Sequence, residues 1–284
     1  MNKKYFTPKK IHAYLRAAIQ LVFFLFLPSA FTTAFSGIKS VLTQFGAGNP
    51  IAWSSFLTVL LALCAYTIVF GRFFCGYACA FGTLGDAVHS LYLFLCKKCK
   101  KKPLLLKKSW KKPLSYLKYA VLLAVVLLCF LGVYGDLTGW SPWDVFSMLR
   151  SGNFKVGAYW LGCILLVLIL VGMVFCERFF CRFLCPMGAV FSLLPILPFF
   201  SVRRKREKCA KGCTACEKVC PSDLSLPEDG SWNVSGDCFQ CQKCLEICPK
   251  KNAKSSIRNF RGNEIWFTLL RAVVLAAVLI LAGI

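Results

Sequence analysis

Eight cysteines in the last third of the chain carry the strongest chemical signal. Cys209-x3-Cys213-x2-Cys216-x3-Cys220-Pro221 is followed by Cys238-x2-Cys241-x2-Cys244-x3-Cys248-Pro249. Three thiolates on one tight loop reach three corners of an iron–sulfur cube, and the remote fourth cysteine of each run reaches the other cube. By that crossing, one [4Fe–4S] cluster takes Cys209, Cys213, Cys216 and Cys248, and a second takes Cys238, Cys241, Cys244 and Cys220. Proline after each run stops the loop from continuing as helix and removes a backbone donor. A pair of four-thiolate zinc sites is the competing use. Structural zinc, however, favours paired C-x2-C units over four-cysteine runs closed by Cys-Pro. The first run opens with three intervening residues, not two, and Gly212 can absorb the extra residue in a turn.

A second constellation occurs twice. Arg72-Phe73-Phe74-Cys75-x3-Cys79-x2-Gly82 matches Arg178-Phe179-Phe180-Cys181-x3-Cys185-x2-Gly188. Residues four apart on a helix share a face, so each pair presents two thiols together. Four convergent thiolates could hold one further iron–sulfur cluster, or the pairs could cycle as redox dithiols. The alternative is that they are small buried hydrophobes at a tightly packed helix end. The ligand count favours a cluster over a disulfide, and polar groups within a membrane are usually functional. Ala80 stands where the second half has Pro186, so the halves are not equivalent. Cys96-x2-Cys99 lies in a Lys-rich run without a second pair and reads as a surface segment. Cys64, Cys129, Cys163 and Cys176 sit in or at the ends of apolar stretches and read as packing residues. His12 and His89 are the only histidines, and a bis-His haem would need them to face each other. No phosphate loop, nucleophile elbow or zinc-protease motif is present. No catalytic residue, and no substrate chemistry of the chain's own, is therefore evident.

The elements that must position these thiols are apolar helices. Of the 284 residues 57% are hydrophobic, above the about 45–50% of soluble domains. Five stretches approach the roughly 20 residues that span about 30 Å of hydrocarbon: Leu15–Phe35, Ile51–Phe70, Leu117–Tyr134, Ala158–Phe175 and Ile265–Ile284. The first is read as a span and not a cleaved signal peptide, because it recurs as the start of a second unit. Lys9-Lys10-x3-Tyr14-Leu15-Arg16-x-Ala18 matches Lys111-Lys112-x3-Tyr116-Leu117-Lys118-x-Ala120. The first four spans are thus a duplicated helical hairpin with parallel repeats, related by an axis along the membrane normal. Phe81–Leu95 and Gly188–Phe200, after the two Cys pairs, are expected to be interfacial or re-entrant. Arg271, inside the last span, is expected to snorkel to the basic side. The expected fold is an all-α polytopic membrane bundle of about five transmembrane helices, with a small α+β two-cluster insert. Residues 1–200 form the duplicated membrane domain, 201–262 the cluster segment and 263–284 the final helix.

Charge follows that topology. Lys and Arg number 5 before the first span, then 1, 11, 2 and 15 in successive loops with their flanks, as the positive-inside rule requires. The N-terminus, Arg72–Lys118 and Arg178–Glu264 are placed in the cytoplasm. Ser36–Pro50, Gly135–Gly157 and the C-terminus lie outside the cytoplasmic (inner) membrane. Neither outer loop contains cysteine, so a disulfide scaffold is excluded for the 18 cysteines. The net charge of +23 does not point to nucleic acid, since no nucleic-acid fold signature accompanies it. The basic loop Lys97–Lys118 is expected to bind anionic lipid and could steer an acidic redox partner, a ferredoxin or flavodoxin.

The paired Arg-Phe-Phe-Cys-x3-Cys motifs, followed by a ferredoxin-like double run, resemble the membrane polyferredoxins of the NapH and NosR type. The resemblance covers about Lys9 to Pro249. It implies electron transfer associated with the quinone pool or a reductase on the far side of the membrane. Carried over by position, the ligands lie among Cys209 to Cys248, and Cys75, Cys79, Cys181 and Cys185 form the membrane motif. Two departures stand out: Cys79-Ala80 replaces Cys-Pro, and no large N-terminal flavin domain of the NosR kind precedes the spans. The expected function is to relay single electrons from a cytoplasmic donor (ferredoxin, flavodoxin or flavoprotein) to a quinone or a membrane or external reductase. The alternative is an accessory or maturation protein whose clusters reduce metal or thiols during assembly of another redox enzyme.

Overall fold

The computed structural model describes residues 8–135, 141–150, 152–153, 159–197, 200–255 and 264–284. The expected boundary at 262–263, and part of the expected Gly135–Gly157 loop, lie outside them. The first half runs α1 (Pro8–Phe26), α2 (Ala30–Gly46), α3 (Ser55–Phe70), α4 (Phe73–Tyr77) and α5 (Ala80–Lys98). After α6 (Lys108–Leu114), the same order returns as α7 (Leu117–Phe130), α8 (Pro142–Arg150), α9 (Trp160–Phe175), a π-helical turn at Phe180–Leu184 and α10 (Pro186–Leu193). The cysteine-rich segment contributes β1 (Val202–Lys205), α11 (Ala215–Lys218), β2 (Asp229–Trp232), α12 (Lys243–Ile247) and β3 (Lys254–Ser255), and α13 (Glu264–Leu281) follows.

The first expected span is two helices, not one. α1 and α2 meet at 62° across Leu27–Ser29, where Pro28 supplies no backbone donor. α2 occupies most of what hydropathy assigns to an outer loop. Phe31, Ala34, Phe35 and Ile38 are buried along one face, but the interleaved Thr32, Thr33, Ser36 and Lys39 dilute the signal. Among the described residues, Ser109–Phe130 and Glu264–Leu281 are long and apolar enough to cross a membrane, and the bent pair makes a third. α3 and α9 have 16 residues each, a rise of about 24 Å at 1.5 Å per residue, short of the about 30 Å of a bilayer core. Among the described residues, two helices, or three with the bent pair, meet the length and composition of a span, against the five expected. α3 ends at Gly71 (φ 68°), and Arg178 (φ 56°) follows α9; beyond these left-handed residues each cysteine motif turns back into the bundle.

The two halves interlock. α5 packs on α9, α10 on α7, and α2 on both α3 and α7. Phe31, Phe81 and Phe180 fill the junction, with Phe81 and Phe180 centroids 4.7 Å apart. Over this bundle sits an antiparallel sheet of order β2-β1-β3, pairing Arg203 with Trp232 and Val202 with Ser255. Short helices and turns carry the rest of that segment, as its Gly, Pro and Ser content suggests. Arg271 does not snorkel. It is fully buried, its guanidinium lying over Phe73 (4.7 Å) and Phe267 (4.6 Å) and donating to Ser255 Oγ at 3.3 Å. The two aromatic faces offer a cation a site inside the protein that the sequence does not advertise.

Candidate iron–sulfur centres

In the cysteine-rich segment, Cys216, Cys220, Cys238, Cys241 and Cys244 line one enclosed cavity. Gln240 (φ 52°) and Gln242 (φ 61°) take the left-handed conformation on either side of Cys241. Such backbone reversals turn N–H groups toward a concavity and favour an anion there. The Gln240 N–H is bonded to the Cys238 sulfur, and the Ser222 and Leu224 N–H groups to that of Cys220. Burial, with the neighbouring Cys241, pushes the Cys238 thiol up to about 12 and that of Cys220 up to about 11. Cys244 is raised well above the usual range by burial and by Cys241, Cys238, Cys220 and Cys216 around it. Thiols crowded around one cavity, with backbone donors aimed at the Cys238 and Cys220 sulfurs, suit an anionic iron–sulfur cube.

Cys209, Cys213 and Cys248, the other three cysteines of the double run, lie outside that lining; each is partly exposed, while Cys216 is buried. Asn252 links the ends of the run, donating Nδ2–H to Cys209 Sγ (3.3 Å) and its backbone N–H to Cys248 Sγ (3.2 Å). Arg204 Nη1 donates to Cys216 Sγ at 3.1 Å. Nothing in the sequence motif announces Asn252 or Arg204. Hydrogen bonds to cluster sulfurs are a recognised lever on reduction potential.

The four cysteines of the duplicated motif come together from opposite halves, and all are buried. The Cys181 and Cys79 thiols are in hydrogen-bond contact; Cys75 and Cys181 lie within electrostatic reach, as does Cys185 of both. Cys79 and Cys185 each sit at the N-cap of the following helix, and Cys185 Sγ accepts the Gly188 N–H at 3.2 Å. Among the described residues, no three His, Cys, Asp or Glu side chains converge to hold a single metal ion. His12 faces Glu264 (3.7 Å) and His89 the Val174 carbonyl (3.0 Å). Cys96 and Cys99 lie at the open end of α5.

The arginines of the repeated motif are the residues that sequence reasoning passed over. Both are fully buried, and each reaches across to the other half. Arg178 donates to the Cys75 carbonyl (2.5 Å) and the Gly76 carbonyl (2.8 Å), and binds Asp86 through Nε (3.0 Å) and Nη2 (2.5 Å). Gln20 on α1 completes the network, donating to Asp86 at 2.8 Å and to the Gly76 carbonyl at 3.1 Å. Arg72 approaches Cys75 and Cys185. It donates through Nη1 to the Gly236 carbonyl (3.3 Å), while Nε and Nη2 have no hydrogen-bond partner. An isolated carboxylate in the apolar Phe81–Leu95 stretch was the available signal for Asp86.

Between these two guanidinium groups lies Phe239, from the Cys238–Cys241 loop, 4.7 Å from Arg72 and 5.2 Å from Arg178. Gly76 has no side chain because none would fit: a Cβ there would lie 2.3 Å from the Phe239 carbonyl oxygen. Arg16 of α1 holds the same loop, donating to the Cys241 carbonyl and to Glu246, both at 3.0 Å. One cysteine loop of the segment is thus seated directly on the cysteine motif of the bundle.

A family profile described as "4Fe-4S binding domain" matches residues 52–113 and 158–206, one copy on each half, each including a C-x3-C pair. Two uncharacterised proteins of Methanocaldococcus jannaschii are 31% and 30% identical over 237 residues. The aligned regions cover 83% and 82% of this chain and 84% and 90% of theirs. The ferredoxin-type protein NapH of Haemophilus influenzae is 27% identical over 211 residues, 70% of this chain and 67% of NapH. No solved structure matches. With the 4Fe–4S profile on both halves and relatives aligned along most of its length, the chain belongs to the ferredoxin-type, 4Fe–4S-binding family of membrane electron-transport proteins that includes NapH.

Proposed function

We propose that the chain conducts single electrons through three iron–sulfur centres. Cys238, Cys241, Cys244 and Cys220 hold one [4Fe–4S] cluster, and Cys209, Cys213, Cys216 and Cys248 a second. Cys75, Cys79, Cys181 and Cys185 hold a third inside the bundle. Each cluster, when bound, supplies a one-electron couple. The protein's own part is to keep the sulfurs dry, aim N–H donors at them and fix the spacing between sites. The observation that carries this reading is Phe239, which seats the Cys238–Cys241 loop between two buried arginines against the bundle cysteines. Lys- and Arg-rich loops on one side support a cytoplasmic position for the cysteine-rich segment. Electrons would enter there from a ferredoxin, flavodoxin or flavoprotein and leave through the bundle to a quinone or a membrane or external reductase.

Anaerobic purification with iron and sulfide counts tests the assignment. Three clusters require about twelve irons per chain, and Cys75→Ser with Cys185→Ser should lower that to about eight. Eight irons in the wild type, with reversible oxidation of the bundle thiols, would replace the third cluster by a dithiol made across the halves at Cys79 and Cys181. Zinc in place of iron, or no response to dithionite, would end the electron-relay reading.

A further inference from the structure

A cleft of about 660 Å³ opens where α6 and the start of α7 meet the cysteine-rich segment. Its lining is unusual in charge. Arg72, Lys112, Lys118 and Arg182 contribute cations, Ser109, Ser115, Ser222 and Tyr116 hydroxyls, and Asp223 and Asp237 the carboxylates. Those two carboxylates are already shared. Asp237 faces both Lys118 and Arg72 (3.6 Å), and Asp223 faces both Arg182 (2.8 Å) and Lys111 (3.6 Å). Arg72, Lys118 and Arg182 are buried, so water cannot fully offset the excess positive charge. Four lining cations, with Lys111 also facing Asp223, against two carboxylates and beside hydroxyl donors make a site for an anion with several acceptor oxygens. The volume suits a nucleotide-sized molecule. Phe239, whose loop carries Cys238 and Cys241, forms part of the wall.

We propose that this cleft binds a phosphate-bearing molecule against the cysteine loop, its phosphate oxygens held by Lys112 and the neighbouring hydroxyls. The phosphate belongs either to a soluble nucleotide-like carrier or to a lipid headgroup. Either occupant would complete the charge balance at the junction of bundle and segment, independently of how many clusters the cysteines hold.

The test is titration of the anaerobically purified, iron-loaded full chain in detergent. Three probes are used separately: flavin mononucleotide, inorganic phosphate and dihexanoyl-phosphatidylglycerol. Saturable binding of at least one probe is expected. It should weaken about tenfold or more in Lys112→Glu, the loss of one charge-assisted contact with a repulsion added. Lys102→Ala, outside the cleft, should bind as the wild type does. Bound probe should also shield Lys112 from amine acetylation, a readout that does not need a folded variant. Flavin binding displaced by inorganic phosphate assigns the site to a soluble carrier, and binding of the lipid alone assigns it to a headgroup. If no probe saturates, or if Lys112→Glu binds unchanged and Lys112 is unshielded, the proposal is wrong.

Discussion

Replacing Asp86 by Ala isolates the buried pair that holds the bundle's first cysteine motif. Arg178 has no exposed surface and donates two hydrogen bonds to Asp86, at 3.0 and 2.5 Å. Without the carboxylate, a full positive charge stays buried with only the Cys75 and Gly76 carbonyls and Phe239 as company. Breaking one partner of such a pair costs about 3–5 kcal/mol, against about 5–15 kcal/mol for a whole domain. The duplication supplies an internal control. Ser192 occupies the matching position of the second half, and its hydroxyl contacts only Tyr119 (2.9 Å) and the Ala189 carbonyl (2.8 Å). Ser192→Ala should therefore cost about 0.5–1.5 kcal/mol, the worth of an ordinary hydrogen bond. Thermal unfolding in detergent, followed by circular dichroism with iron counted per chain, reads both effects. Asp86→Leu combined with Arg178→Met should recover more than about 2 kcal/mol relative to the sum of the single changes, because contacting charges are coupled. Should Asp86→Ala prove no worse than Ser192→Ala, or the double change simply add, the counter-ion argument fails.

Two further outcomes follow from the cysteine-rich segment and its seat. With iron removed, Cys238 and Cys220 ionise only near pH 12 and 11, against an ordinary cysteine value of 9.0. The unfolded thiols ionise first, so the iron-free segment should be steadiest below about pH 9 and lose stability as pH rises through that value toward 11–12. The loaded protein, its thiolates already bound, should lack that loss; hydrogen exchange of the Cys238–Cys248 amides across pH distinguishes them. Gly76→Val drives a branched side chain into the Phe239 carbonyl, which stands 2.3 Å from where even a Cβ would be. It should unseat the loop, raising Phe239 hydrogen exchange and slowing electron passage between segment and bundle. Unchanged exchange at Phe239 would mean the seat is not as described.

The sequence was most legible where spacing has a single chemical meaning. The two four-cysteine runs and the repeated Arg-Phe-Phe-Cys motif stand out without structure, and the family profile falls on both copies of the latter. It was least legible where hydropathy averages away geometry. α2 is hidden because its buried face of Phe31, Ala34, Phe35 and Ile38 alternates with polar residues, so a window scores the stretch as a loop. The partners of the thiols were hidden for a different reason. Asn252 and Phe239 reach their sulfur or guanidinium neighbours from irregular loop backbone, and Arg204 from the four-residue strand β1, too short to leave a periodic trace. Arg72 and Arg178 were visible as motif letters, yet a basic residue beside an apolar helix is ordinarily read as an interfacial anchor. That each crosses into the other half depends on how the two hairpins interlock, which hydropathy does not encode.

The departures from exact repetition explain how one cysteine loop is received on a bundle whose motif is duplicated. At the position after the first cysteine, the first half has Gly76 and the second Arg182 is displaced only by the repeat offset. The bare Gly76 leaves room for the Phe239 carbonyl, whereas Arg182 extends outward to the Pro221 carbonyl (2.6 Å) and Asp223 (2.8 Å) beside Cys220. One half is hollowed and the other buttressed, and both touch the same four-cysteine set. Asp86 against Ser192 follows the same logic: Arg178 has a bidentate carboxylate on the hollow side, while Arg72 has only the more distant Asp237 (3.6 Å) as its carboxylate, with Cys75 beside it. Arg72 therefore faces Cys75 and Cys185 with the weaker counter-ion. The duplication supplies four thiols, and its divergence gives the two buried arginines beside them different counter-ions.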